Sequence, residues 1–324
     1  MKKLIYYLFS IFILLALPLQ AREMADPTIV GEDEREPITG KASKPEQAVV
    51  VIEIYRYNGY DWELNHCSGV MVGTNIVLTA AHCLADSKGN YRTVVMVYAV
   101  GLPKPQKMDE NNERKDIASI KKLISPNIGP IRSYPMKQIE RTRWVYDESG
   151  EKAYPFAIAK KLWVPKEYKL AILNNDIIEK RHYDYGIIVL DHNLSKMTKR
   201  YLGLKIPSDE ELKDANIIVI GRGNDKPNRT LWKASGKVGT IYDYRFYHKA
   251  DTLSGNSGGP IFKEGDPTNI IALHNWGGKK EHVDEGYPNM GLRIRQEIID
   301  AVETVANGGT LPEMKILENN NNSN

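Results

Sequence analysis

Short runs of apolar residues, punctuated by glycine, proline and asparagine, recur along most of the chain. The most strongly β-branched are 48–57 and 217–221. Runs of this length and composition are typical of β-strands. Further runs of the same kind lie at 67–72, 75–79, 91–100, 187–190, 236–242, 260–262 and 269–273. Because these runs do not alternate with long helical patterns, the sequence predicts an all-β barrel or sandwich rather than a parallel α/β sheet.

The C-terminal region carries the main helical pattern. Residues 293–306 place apolar side chains at helical spacing, and Gly308-Gly309 follows as a stop signal. The spaced positions are Ile294, Ile298, Ile299, Val302 and Val305. A shorter helix is predicted at 209–212. We expect the asparagine-rich tail, 307–324, to be disordered.

The N-terminus has the pattern of an export signal. Lys2-Lys3 precedes an apolar stretch that ends before Ala21, and the stretch is short for a membrane span. We therefore predict a signal peptide at 1–21, an exported protein (secreted or periplasmic), and no membrane contact after cleavage. An uncleaved anchor is the alternative. The polar segment 22–45 is interpreted as a propeptide or N-terminal arm.

Composition narrows the class of protein further. The chain has 324 residues, a hydrophobic content of 42% and a net charge of +3. That content is enough for a substantial core, and the basic residues are mixed with acids, so no nucleic-acid partner is predicted.

Residues 101–146 are rich in proline and charge and are longer than a usual connection. They are interpreted as a surface loop, with a cleft-shaping insertion as the alternative.

Candidate chemistry centres on the sequence Gly-Asn-Ser-Gly-Gly at 255–259. Glycines beside Ser257 allow a tight turn whose backbone N–H groups converge on one point, as an oxyanion requires. A nucleophilic serine also needs a base and a group that orients the base. The candidates are His82 and Asp184, in the chain order His, Asp, Ser. The motif also fits the nucleophile elbow of α/β-hydrolases, but the order and the lack of strand–helix alternation argue against that fold.

Three motifs together resemble the catalytic blocks of trypsin-like serine peptidases. They are Thr-Ala-Ala-His-Cys at 79–83, Asp-Tyr-Gly-Ile-Ile-Val-Leu at 184–190 and Gly-Asn-Ser-Gly-Gly-Pro at 255–260. Segments at 31–35, 225–227, 231–238 and 273–278 resemble the V8-like (glutamyl endopeptidase) branch. The resemblance implies two six-stranded antiparallel β-barrels and a C-terminal helix. It places a peptidase domain at 46–306, with barrels at about 46–198 and 199–292.

The resemblance also implies roles for individual residues. His82, Asp184 and Ser257 would form the triad, with Gly255 and Ser257 supplying the oxyanion N–H groups, and with no metal or cofactor. The only two cysteines, Cys67 and Cys83, would pair in a disulfide. Two free thiols are the alternative. We expect a monomer that acts on protein or peptide substrates.

Primary specificity is left open by the substrate-pocket candidates, which are Asp251, Thr252, His274, Trp276 and Gly277. Asp251 occupies the position that favours lysine or arginine in trypsin-like enzymes. Thr252 and His274 resemble the residues with which V8-like enzymes bind glutamate. We favour cleavage after Glu or Asp, with Lys/Arg specificity as the alternative.

Two other functional classes remain. The chain could be a protease-fold binding protein whose cleft is covered by 101–146, or an esterase or lipase that uses the same triad, although the apolar lid expected of such an enzyme is not evident. The resemblance also bears on activation. In many trypsin-like enzymes, cleavage frees an N-terminal amine that pairs with an Asp just before the nucleophile, and here that position is Asn256. A neutral amide cannot form that ion pair.

Overall fold

The computed structural model describes residues 28–39, 42–43, 45–57, 62–91, 94–100, 144–146, 153–194, 201–227, 229–278 and 286–317. The predicted signal peptide and nearly all of the predicted 101–146 insertion lie outside the described residues. Among those described, no helix combines the length and apolar character that crossing a membrane would need.

The described chain is built mainly from β-strands. The N-terminal half contains β1 Glu36–Pro37, β2 Val49–Tyr57, β3 Trp62–Met71, β4 Ile76–Thr79, β5 Val94–Ala99, β6 Trp144–Tyr146, β7 Ala153–Trp163 and β8 Gly186–Leu190. The C-terminal half contains β9 Gly203–Leu204, β10 Asn216–Gly221, β11 Trp232–Ile241, β12 Arg245–His248, β13 Pro260–Lys263, β14 Asn269–Ile270, β15 Ala272–Gly277, β16 Asn289–Arg293 and β17 Lys315–Ile316.

Short helices connect and cover the strands. They are α1 Ala81–Leu84, α2 Lys166–Leu173, α3 Ile177–His182, α4 Asp209–Leu212 and α5 Gln296–Ala306, with a 3-10 turn at Glu46–Ala48. The sequence pattern predicted α4 and α5 but not α1, α2 or α3. Asp176 caps α3, since its carboxylate accepts hydrogen bonds from the N–H groups of Ile178 and Glu179.

The strands close into two six-stranded antiparallel barrels, so the predicted fold class is confirmed. The first runs β7-β5-β2-β3-β4-β8 and closes through pairing of β7 with β8. The second runs β11-β10-β13-β15-β16-β12 and closes through β11 with β12. Closure removes free strand edges, which would otherwise be open to unwanted pairing. The β-branched run in β2 lies between β3 and β5 and is buried.

The C-terminal region differs from the prediction in two places. The helix α5 begins at Gln296 rather than at 293, because Arg293 ends strand β16, paired with β15. The tail was predicted to be disordered from 307, but residues 315–316 form β17 and pair with β7. The indole N–H of Trp163 also donates to the carbonyl of Pro312 at 2.9 Å. These partners are distant in sequence, so composition alone did not reveal them.

Candidate active site

The loop that carries Ser257 is held from below by the first barrel. The N–H of Ser68 donates to the carbonyl of Ser257, and its hydroxyl donates to the carbonyl of Gly255, each at 2.8 Å. Gly255 and Gly258 have φ angles of +101° and +80°. A Cβ at Gly258 would lie 2.1 Å from the Thr79 hydroxyl oxygen. Conformation and space therefore both require glycine beside the serine.

The loop leaves two backbone donors unused. Within the described part of the chain, no protein group accepts a hydrogen bond from the N–H of Gly255 or of Ser257. The neighbouring N–H groups are occupied, since Asn256 donates to Leu253 and Gly258 donates to His274. This pattern leaves the two predicted oxyanion donors available to an acceptor outside the protein.

His82 and Asp184 are joined by two hydrogen bonds. The N–H of His82 donates to one carboxylate oxygen of Asp184 at 2.9 Å, and its ring Nδ1 lies 2.8 Å from the other. Asp184 is buried, whereas His82 is half-buried in the turn formed by α1. The bond at Nδ1 orients the imidazole and leaves Nε2 as the nitrogen available for proton transfer.

One cleft brings most of the predicted site residues together. It has a volume of about 560 Å³, and its lining includes all three predicted triad residues. Of the predicted pocket residues, Thr252, His274, Trp276 and Gly277 also line it. Among the described residues that line the cleft, Asp184 carries the only carboxylate, and its oxygens are engaged by His82.

Asp251 is placed differently from its predicted pocket role and does not line the cleft described above. Its carboxylate accepts hydrogen bonds from the backbone N–H groups of Val30 at 2.8 Å and Glu34 at 2.9 Å. The side chain is buried, with 4% exposure. Asp251 thus anchors the N-terminal segment, 221 residues earlier in the chain. The contact between Asp251 and residues 30–34 could not be predicted from local sequence patterns, because the partners are far apart in the chain.

His274 forms part of the cleft wall as a neutral imidazole at ordinary pH. Burial, with a smaller contribution from His82, lowers the pKa of His274 to about 3. Behind it, His248 is buried, and the two rings meet edge to face with centroids 5.6 Å apart. Burial also lowers the pKa of His248 well below its ordinary value. Desolvation disfavours the charged form of both rings.

Cys67 and Cys83 form a disulfide, with their Cα atoms 6.2 Å apart. It joins β3 to α1, the turn that carries His82. The two sulfurs and a ring nitrogen of His82 lie close together. Because the cysteines are oxidised, they do not offer the thiolates that a zinc ion would need.

Comparison with known proteins agrees with this architecture. The family model described as Trypsin matches residues 38–133. A glutamyl endopeptidase of Bacillus licheniformis is 24% identical over 280 residues, which cover 84% of this chain and 67% of that protein. A glutamyl endopeptidase of Staphylococcus aureus is 38% identical over 63 residues, which cover 19% of this chain and 18% of that protein.

Solved structures resemble the fold over most of its length. A Glu endopeptidase in complex with MPD matches with a TM-score of 0.58 and 18% identity, covering 86% of this chain and 99% of that one. The protease Anisep from Arthrobacter nicotinovorans matches with a TM-score of 0.51 and 16% identity, covering 82% and 98%. Together, the similarities in sequence and fold indicate a serine endopeptidase that resembles the trypsin-like peptidases.

Sequence reasoning missed several residues that line the cleft of this peptidase. Thr28 packs beside the pocket, where its hydroxyl donates to the carbonyl of Thr252 at 2.5 Å. Lys180 and Arg181 line the cleft from α3, and Asn275 lines it from β15. The two cations could have been noticed, since they lie four and three positions before Asp184 in sequence. Their helix is six residues long, too short for a convincing periodic pattern.

Proposed function

We propose that the peptidase is exported and cleaves after glutamate or aspartate, using Ser257 as nucleophile, His82 as base and Asp184 as the orienting group. His82 Nε2 takes the hydroxyl proton as Ser257 Oγ bonds to the substrate carbonyl carbon. The same nitrogen then gives that proton to the leaving amine as the C–N bond breaks. Water releases the acyl group in the second half of the cycle.

The oxyanion is proposed to sit between the N–H groups of Gly255 and Ser257. Both donors are unused by the described protein groups, which supports this role. Donors that are fixed before reaction stabilise the developing negative charge without a reorganisation cost. The hydrogen bonds from Ser68 to the carbonyls of these two residues hold the loop in the required shape.

The charge of the cleft carries the proposal of acidic specificity. Its lining supplies two cations, Lys180 and Arg181, while its one carboxylate is engaged by His82. An acidic substrate side chain therefore meets positive charge and no free anion among the described residues. Thr252 and His274 supply polar groups in the same wall. The names of the two glutamyl endopeptidases that resemble this chain point the same way.

The Lys/Arg alternative loses its main support. It requires the Asp251 carboxylate to face the substrate, yet both of its oxygens accept hydrogen bonds from backbone N–H groups of 30–34. A lysine or arginine side chain would also be repelled by the two cleft cations.

Export is inferred from the basic and apolar pattern of residues 1–21. Intact-mass measurement on the mature protein would test whether residues 1–21 are removed as a signal peptide.

Cleavage-site profiling tests the function directly. The mature protein is incubated with a mixed peptide library, with Ser257→Ala as the matched blank, and new termini are read by mass spectrometry. We expect cuts after Glu and Asp that are absent from the blank. Cuts after Lys or Arg would refute the specificity. Absence of cuts together with no labelling of Ser257 by a serine-directed phosphonate would favour the binding-protein alternative.

A further inference from the structure

Arg181 is a buried cation with no counter-ion among the described residues. Its side chain is only 7% exposed, and its Nε and one terminal nitrogen have no hydrogen-bond partner in the same part of the chain. Burial lowers its pKa. The ionisable groups that act on it are Tyr247, Arg245 and Tyr244, none of which is a carboxylate. An unpaired buried charge has a high desolvation free energy, so an anionic ligand bound beside Arg181 would stabilise it.

The guanidinium is held in a fixed orientation on the cleft wall. Its central carbon lies 3.9 Å from the centroid of the Trp276 ring, as a cation–π pair. Its own backbone carbonyl accepts a hydrogen bond from the Asn275 side chain at 3.5 Å. Arginine in such a setting presents a planar fork that matches a carboxylate with two parallel hydrogen bonds. Pre-organisation of this kind reduces the entropy lost on binding.

Arg181 lies further along the cleft wall than the proposed primary pocket. His274 and Trp276 are both on β15, two residues apart, with a β-bulge or irregularity between them, and the Arg181 guanidinium packs against Trp276. On one side, β15 pairs with β13 at Ala272 and Leu273, and β16 covers the other side as far as Gly277. A substrate bound in extended form along this wall would place its neighbouring residues against different parts of it.

We propose that Arg181 binds a second carboxylate of the substrate, carried by a residue two to four positions before the cut peptide bond. This inference rests on the proposed function, because it uses the same cleft and the same reaction. It predicts that the enzyme prefers acidic segments with a further Glu or Asp upstream of the cut. The residue just before the cut is recognised separately, beside Thr252 and His274, and is affected by Arg181 only through the overall positive charge of the cleft.

The test compares matched glutamate and glutamine peptides. In each series one upstream position is varied between Glu and Gln, while the residue before the cut is the one that wild type prefers. We expect one position at which Glu raises kcat/KM by about 10- to 100-fold over Gln, the range expected of a charged hydrogen-bonded pair. In Arg181→Met, which keeps an apolar side chain against Trp276, this ratio should fall to about one. In Arg181→Lys, which keeps charge but loses the fork, it should be intermediate.

Controls separate a local contact from general charge. Lys166→Met removes one exposed cation on α2, outside the cleft lining, and should leave the ratio unchanged. Reaction with an uncharged phosphonate and thermal unfolding show whether each variant is folded and competent. If Arg181→Met does not fold, the wild-type ratios and Arg181→Lys still decide the matter.

Three outcomes would overturn the proposal. The first is a wild-type Glu/Gln ratio near one at every upstream position. The second is loss in Arg181→Met of the preference for the residue just before the cut, with no change upstream, which would assign Arg181 to the primary pocket. The third is a ratio that falls equally in Lys166→Met. Wild-type cleavage after Lys or Arg would instead refute the primary specificity, and the upstream ratios in those peptides would still test Arg181.

Discussion

Acidification should destabilise this protein through its buried histidines, and His274 allows the size of the effect to be worked out. The pKa of His274 is about 3 in the folded chain, against an ordinary value near 6.5 in an unfolded one. Below about pH 6.5 the unfolded chain therefore binds a proton that the folded chain excludes. Stability falls as the pH drops from about 6.5 towards 3, with a limiting slope of about 1.4 kcal/mol per pH unit. Between pH 7 and pH 5 the loss from this side chain is about 2 kcal/mol.

The measurement is urea unfolding followed by tryptophan fluorescence between pH 5 and pH 7.5. Ser257→Ala serves as the parent to prevent self-digestion, and His274→Gln is made in the same background. Because glutamine does not titrate, the variant should lose about 2 kcal/mol less than the parent over this range. Lys88→Gln, an exposed change that does not titrate there, should behave like the parent. His66, whose pKa burial also lowers, is present in every variant and cancels in the comparison. The pKa of His248 is lowered by burial and also by His274, so its change in His274→Gln would flatten the curve in the same direction.

An identical pH dependence in the parent and in His274→Gln would refute this reasoning. It would mean that His274 takes up its proton as easily in the folded chain as in the unfolded one. The buried edge-to-face contact with His248 would then not be a dry environment. A steeper dependence in the variant would likewise contradict the expected sign, because removing the histidine should only flatten the curve.

Three further changes test the framework around the site. Asp184→Asn should lower kcat by about 10⁴-fold, because the imidazole loses its orienting carboxylate, and steady-state hydrolysis with an unchanged unfolding midpoint would show it. Asp251→Ala leaves two backbone N–H groups without their acceptor and should cost about 2–4 kcal/mol in urea unfolding, while the residue preferred before the cut stays the same. A switch in that preference would return Asp251 to the pocket. Replacing Cys67 and Cys83 by alanine opens a link across 16 residues and should cost about 3 kcal/mol, measured by the same unfolding experiment.

Local sequence patterns predicted most of the barrel strands. The β-branched run at 48–57 predicted β2 because it is buried between two neighbouring strands, and such side chains suit a pleated, packed surface. The strand β7 was missed, although it is the longest of the described strands. It contains Pro155 and paired lysines, and its place in the sheet depends on partners at 94–99 and 186–190. Tertiary pairing overrides weak local preference in such a segment.

The local geometry of the site was predictable where a sequence motif determines the backbone conformation. The glycines around Ser257 indicated a tight turn, and the structure has two of them at positive φ. Asp251 had no such signature, since an aspartate six residues before the serine fits either a pocket floor or a backbone anchor. Only the contact with Val30 and Glu34 separates the two possibilities. Arg181 was overlooked for the opposite reason, because a charged residue in a short helix usually faces solvent.

The segment 176–184 links the two proposed functions of the site. Its last residue orients His82, and three positions earlier Arg181 lies on the cleft wall. The helix that carries Arg181 is fixed at its start by the Asp176 cap and at its end by Arg295, which donates to the carbonyl of His182 at 3.0 Å. A substrate carboxylate bound at Arg181 would thus be bound to the same short, anchored element that supports the base. Binding energy gained upstream of the cut would then help to hold the catalytic groups in register, so an upstream acid should raise kcat as well as lower KM.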